Sequence, residues 1–431
     1  MPVPAEAARI GAVIRGARAA ARWNQAQLGV RIGYSASGVS RIESGLLSPG
    51  PQTLERISEV LNIPACELRS AAPGGDSVTT VPGRPQEDAV RRRKLLAGAV
   101  GLGAALAVPA GPAAAAAVPS GDPSVPLEQA LFNPAAVSAP WTGSQVARSL
   151  EGARRNFRAA HYAALGAALP GLIAGSETAR DAARGRAREL AHGAVARTYV
   201  LATELALKEH ADFAWVTADR ALAAARAGGD PVVIGEATRV LAITMRRAGR
   251  PQAAVDFLAR TAAAMTGDGA EQHVRATMLL TAAYTAASGG RRSSALSLMA
   301  EAEDAVAEPA EGTRGLFTVD ASRAQADVYW IGVHNALGTP DEGVRYAARV
   351  DPSALPTAER RARAATDTAR MWHALGDQQR TFGALRAVEA AAPEEVRRPA
   401  LRALTADLLY GPGTVPGLRD FARRTGALAG A

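Results

Sequence analysis

WNQAQLGVRIGYSASGVSRIESG, residues Trp23–Gly45, reads as two short helices joined by a tight turn. Gln25–Ile32 carries Leu28 and Ile32 four residues apart, one apolar stripe on one short helix. Gly33 follows, the residue that most cheaply takes the positive φ at which a helix ends. Ser35 offers an N-cap oxygen to the next helix, where Val39 and Ile42 make a second stripe three residues apart. Ala36, Ser37, Ser40, Arg41 and Ser44 are left on the outer face, short and polar apart from one arginine. A flank this smooth enters the major groove of DNA without steric conflict, which makes Arg41 the expected base reader. Gln25, at the amino-terminal end of its helix, is expected at the phosphate backbone.

With these residues in place, the stretch resembles a lambda-repressor-like helix-turn-helix of the XRE family. That family has Gln25, Leu28, Gly33, Ser35, Val39, Ser40, Arg41, Ile42, Glu43 and Gly45 at these places, and the resemblance extends over about residues 8–69. It implies a five-helix domain spanning 1–72 and a double-stranded DNA operator as partner. The residues implied at DNA are Gln25, Ser35, Ala36, Ser37, Ser40, Arg41 and Ser44. Ala36 departs from the pattern, because many members place a long polar base-reading side chain there; direct readout is therefore expected to be sparse. The resemblance also implies an ion pair between Arg18 and Glu43, structural rather than functional.

Working outward, a first helix is expected from about Ala7 to Arg22, with Ile10, Ile14, Ala17 and Ala21 towards the core. Thr53 is placed to cap a helix bearing Leu54, Ile57, Val60 and Leu61, and Pro64 to start a last short helix ending near Arg69. Between 73 and 142 Pro, Gly, Ser and Thr dominate and no amphipathic period survives, the composition of a flexible linker. Inside it, Arg91-Arg-Arg-Lys94 precedes Leu95–Val118, a run without a charge. This 91–118 segment admits three readings: an Ala-rich linker, a membrane span with its basic end on the cytoplasmic side, or a displaced twin-arginine export signal. Its Ala and Gly content, with Pro109 and Pro112, favours the linker.

Residues 143–431 read as helix almost throughout. Gly-centred breaks recur at Gly249, Gly289, Gly338 and Gly376, and the first three are followed by a small residue and then a large apolar one: Ala253 and Phe257, Ala295 and Leu298, Gly343 and Tyr346. A helix, a Gly turn and a helix that begins on a small residue is how tetratricopeptide-like hairpins pack closely. The stretch resembles the carboxy-terminal helical domain of actinobacterial XRE–tetratricopeptide regulators on several motifs. These are Arg155-Asn-Phe-Arg158 with Tyr162, Ala214-Trp215 with Ala218-Asp219-Arg220-Ala221, Gly229-Asp230-Pro231, Leu355-Pro356 with Glu359-Arg360, and Asp367 with Arg370. Such regulators often carry an arginine-plus-apolar segment between their two domains.

The fold class is thus all-α: a DNA-binding domain, a linker and a tetratricopeptide-like α-solenoid. At 431 residues with net charge +8, the chain permits a polyanionic partner without identifying one. A single cysteine, Cys66, excludes an intramolecular disulfide and a Cys-based zinc site. Glu189 and His192 share a helical face with no second pair beside them, so neither metal nor cofactor is expected. No phosphate loop or nucleophile motif occurs, and no enzymatic activity is expected. Trp215, Tyr199, Arg239, Arg246 and Tyr329-Trp330 read as core residues and inter-helix contacts, with Asp219 and Arg220 closing one of them. The expectation is a cytoplasmic, homodimeric transcriptional regulator whose solenoid senses a peptide, small molecule or protein. The alternative is a membrane-tethered helical-repeat scaffold with a cytoplasmic DNA-binding domain.

Overall fold

The structure is a computed structural model. It describes residues 5–64 (save 22, 24, 35, 44, 46 and 48), 68, 122–133, 139–267, 269–306, 317–410 and 415–428. Among these, nineteen α-helices and no strand occur. The chain divides into a unit of 1–68 with 120–431 and a second of 69–119, which lies outside the described residues together with the 91–118 segment. No described helix is long and apolar enough to cross a membrane.

Helices α1 (Ala5–Ala20), α2 (Gln25–Ile32), α3 (Ala36–Glu43) and α4 (Pro51–Leu61) enclose a small core. Ile14, Leu28, Ile32, Val39, Ile42 and Ile57 are all at most 2% exposed within it. The stripes on α2 and α3 face each other across Gly33, whose φ of 78° gives the turn its positive dihedral. Two expectations are corrected. Ala21 is exposed, because α1 ends one residue before it. Thr53 does not cap α4: Gly50 does, with Pro51 at the first helical position, where its missing N–H costs nothing. The expected fifth helix and Cys66 fall largely outside the described residues, although Leu68 is buried in this core.

The repeat array begins earlier than the composition implied. Helix α5 (Val125–Phe132) lies inside the stretch read as linker, and its Leu127 and Leu131 are buried in the main core. Its start rides over Gly166, where a Cβ would stand 2.0 Å from the Pro123 carbonyl oxygen. Trp141 packs against Gly175 in the same way. One short helix with two leucines shows no sustained period, so only its packing reveals it. Leu127→Ala is therefore expected to destabilise the chain by about 2–5 kcal/mol, where a linker leucine would cost nothing. Urea unfolding of the full chain measures this.

Antiparallel hairpins follow: α6 (Gly143–Arg158) with α7 (Tyr162–Ala182), α8 (Gly185–Lys208) with α9 (Ala214–Gly228), and α10 (Pro231–Arg247) with α11 (Pro251–Ala263). Next come α12 (Ala270–Ser288) with α13 (Arg292–Val306), α14 (Arg323–Ala336) with α15 (Pro340–Ala347), α16 (Ala358–Ala374) with α17 (Gln378–Ala391), and α18 (Pro399–Leu409) with α19 (Leu418–Arg424). The first helices of successive hairpins stack on one another, and α16 returns to touch α6, so the array curls round a shared axis. The turns at Gly249, Gly290, Gly338 and Gly376 have φ between 69° and 76°. In the second of these it is Gly290, not Gly289, that carries the positive φ. After the first turn the buried pair is Ala254 and Leu258, one residue beyond Ala253, which is exposed, and Phe257. Ala295 and Gly343 are buried as expected.

Candidate functional site: the reading helix and the inner cavity

Glu43 organises the amino-terminal domain from the end of α3. It is 2% exposed and takes Arg18 on both carboxylate oxygens, with Nη2 at 3.0 Å, and the Gln25 amide at 2.9 Å. Burial pushes its pKa up, but the hydrogen bonds from Arg18 and Gln25 outweigh this and hold it below the usual carboxylate range. The ion pair implied by the resemblance is thus present, and Gln25 is its third member. Ser35 and Ser44 lie outside the described residues, as do the side chains of Ala36, Ser37 and Ser40 on α3.

Arg41 does not face open solvent. Its Nη2 donates to the carbonyl of Ala374, the last residue of α16, at 2.6 Å. Two further contacts flank it. Arg56 on α4 donates to the Gly290 carbonyl at 2.7 Å. The Tyr34 hydroxyl lies where a Cβ on Gly338 would approach to 2.4 Å. The face that carries Arg41 is therefore docked on the carboxy-terminal ends of α12, α14 and α16. Cations suit these ends, because unpaired carbonyls there carry partial negative charge. The glycines leave the backbone bare enough to be approached.

The same three helices, with α8 and α10, wall a cavity of about 100 Å³ on the axis of the array. Seven cations line it (Lys208, Arg239, Arg246, Arg247, Arg360, Arg363 and Arg398) against the three carboxylates Glu204, Glu359 and Asp367. Arg239 pairs with Glu204, Arg360 with Glu359, and Arg363 with Asp367 at 2.7 Å. Lys208 bridges Glu359 and Glu395, and Arg398 also pairs with Glu395. Arg246 has no acidic partner among the described residues: it donates to Thr285 at 3.1 Å and lies over the Tyr284 ring at 4.7 Å. Burial and the neighbouring cations push its pKa down, and they push Arg247 down to about 10. Gln325, 1% exposed on the same wall, has neither its amide oxygen nor its nitrogen hydrogen-bonded among the described residues.

Arg239 and Arg246 make the expected inter-helix contacts, to Glu204 on α8 and Thr285 on α12, and with Tyr329 they also line this cavity. Arg239 and Arg246 are on α10 and Tyr329 on α14, and no spacing in the sequence signals that the array closes to bring them together. Trp330 is core, stacked on Tyr346 at 4.9 Å, and Tyr199 is buried. Trp215 is corrected: it is 38% exposed, since the inward positions of α9 are held by Ala214, Ala218 and Ala221. Arg220 does close the contact with α8, donating to the Tyr199 hydroxyl at 3.2 Å. A larger groove of about 740 Å³, lined by α6, α7, α8 and α10, has its charged residues engaged locally: Arg186 with Glu189, Arg197 with Glu236, and Asp230 capping α10.

Residues 9–71 match the family model described as a helix-turn-helix domain. This domain is a helix-turn-helix domain. No curated protein matches the chain. Among solved structures it is similar to Bacillus thuringiensis PlcR in complex with the peptide PapR7 and DNA, at 12% identity over 88% of this chain and 99% of that chain. The TM-score is 0.30, a superposition too loose to bear on function. In the helix-turn-helix domain, α2 and α3 are the motif and Arg41 is the long donor on the second of them.

Proposed function

We propose that the chain is a cytoplasmic, DNA-binding transcriptional regulator whose repeat domain holds the reading helix docked and frees it when a ligand shifts the array. The observation that carries this is Arg41 on the Ala374 carbonyl. At 2.6 Å, no base pair fits between the two groups, so operator reading and docking exclude each other. A ligand that prefers the undocked arrangement therefore raises operator affinity by linkage.

Selecting bound sequences from random DNA with the purified full chain tests the reading, and recovery of no preferred sequence overturns it. On the recovered operator, Arg41→Ala is expected to lose roughly tenfold or more of the preference over random DNA, as one bidentate guanine contact is worth about 1–3 kcal/mol. Unchanged preference would point to shape readout. Wild-type affinity should fall steeply with salt as phosphate-bound counterions are released.

Homodimerisation through the repeat domain belongs to the same proposal. Dimeric helix-turn-helix proteins bind half-sites about 34–36 Å apart, and a domain of this size covers one. Residues 120–431, rather than a fragment starting near Ala139, are the piece to sediment, because α5 belongs to the array core. That fragment is expected to be dimeric and 1–72 monomeric; the reverse result would relocate the interface.

A further inference from the structure

We propose that the axial cavity is the binding site of a small organic or inorganic oxyanion, a carboxylate or a phosphate, held by Arg246 and Gln325. This deepens the proposed function, and rests on it only for the consequence at DNA. The cavity carries more than twice as many cations as carboxylates. Each carboxylate is already claimed by a named cation, whereas Arg246 is not matched by any acid among the described residues. A half-buried guanidinium without a counter-charge among the described residues destabilises the ligand-free fold, and an oxyanion relieves that cost with two parallel N–H···O bonds. Gln325 adds a buried amide able to donate to an oxyanion oxygen, with its own oxygen free to accept from a ligand hydroxyl or amide. Tyr284 and Tyr329 complete a wall that is polar at its hydroxyls and flat elsewhere. At about 100 Å³ the cavity is far smaller than the ~300–1,000 Å³ of drug-sized sites, so it takes a head group and a few further atoms.

The site is placed to act on DNA binding. Helices α12, α14 and α16 present Tyr284, Gln325, Tyr329 and Arg363 to the cavity, and their carboxy-terminal ends hold Arg56, Tyr34 and Arg41 of the helix-turn-helix domain. An anion that draws these helices towards Arg246 changes the spacing of the three docking points.

Thermal denaturation of the full chain at constant ionic strength tests the site, with inorganic phosphate in one arm and succinate in the other. Sodium chloride at the same ionic strength is the baseline. At least one probe is expected to raise the Tm saturably, by roughly 2–5 °C at tenfold excess over Kd. The arm that responds names the chemistry. Two variants then separate binding from folding. Arg246→Met is expected to raise the Tm of the ligand-free chain, since a half-buried charge without an acidic partner among the described residues is removed, and to abolish the anion-induced rise. Gln325→Leu is expected to reduce the response at least tenfold in apparent affinity. Arg220→Met, on the Tyr199 contact outside the cavity, should respond as wild type. No saturable rise with either probe, or a rise that survives Arg246→Met, overturns the site. The operator titration is run separately with and without the responding anion: a Tm response without any DNA binding leaves the site standing and removes the regulator reading instead.

Discussion

Gly338→Asn is expected to bind operator about tenfold more tightly than wild type, although the substitution lies roughly three hundred residues beyond the reading helix in sequence. Gly338 has φ 69°, and a Cβ there would stand 2.4 Å from the Tyr34 hydroxyl, so Tyr34 must swing away and the dock is weakened. Asparagine is the non-glycine residue that best tolerates this backbone, so the turn itself is kept. Gly376 supplies the control: its φ is 76°, and nothing lies within 4 Å of where a Cβ would be. Gly376→Asn shares the backbone cost and should leave operator affinity unchanged. The size follows from what docking provides. Two guanidinium-to-carbonyl hydrogen bonds, each partly exposed, contribute on the order of 1–2 kcal/mol together after solvent competition, which is about a factor of ten. Apparent affinity scales with the undocked fraction, so removing the dock restores that factor. Equal affinities for the two variants and wild type in a fluorescence-anisotropy titration would show that docking does not limit DNA binding.

Glu395→Gln is expected to be among the most destabilising conservative changes in the repeat array. Its carboxylate is fully buried and accepts from Tyr162 at 2.5 Å, from Lys208 at 3.1 Å and from Arg398. Amide in place of carboxylate leaves Lys208 with Glu359 alone and strips Arg398 of its ion-pair partner, and stranding buried charge costs about 3–5 kcal/mol. At roughly 2–4 °C per kcal/mol for a large domain, the Tm should fall by about 6–20 °C. The pH dependence follows from the same contacts. Burial raises the Glu395 pKa, but Arg398 and Lys208 overcome this, so the folded value lies below the unfolded one. A depressed carboxylate contributes its full stability above the unfolded pKa of about 4.3 and loses it as pH falls through the folded value. Wild type should therefore weaken below about pH 4, and Glu395→Gln, with nothing to titrate there, should weaken less steeply over that window. A variant as stable as wild type in urea at pH 7 would show that the array closes without this cluster.

The Arg41 and Glu395 sites divide cleanly between what the chain shows in one dimension and what it does not. Leu28, Ile32, Val39 and Ile42 lie within a few residues of one another, and their spacing is itself the geometry of the two helices. Gly33 and the Arg18–Glu43 pair were legible for the same reason: a short motif fixes every partner locally or by resemblance. The Gly turns of the array are equally local, to within one residue at Gly290. Helix α5 escaped because two buried leucines on one short helix make no period, and because it is held by Pro123 over Gly166 rather than by its own propensity. Trp215 escaped because a core built of alanines leaves a tryptophan at the rim.

By itself the sequence determined the all-α class, the helix-turn-helix and Arg41 as the long donor on its second helix, since each rests on neighbours in the chain. Only the tertiary structure decided that Arg41 is docked on Ala374, 333 residues away, and that Arg246, Gln325 and Tyr329 share one cavity. Both depend on how far the array curls before α16 returns to α6, and that angle is the accumulated sum of many small helix-to-helix rotations. No single residue encodes it, so no local pattern could have shown it.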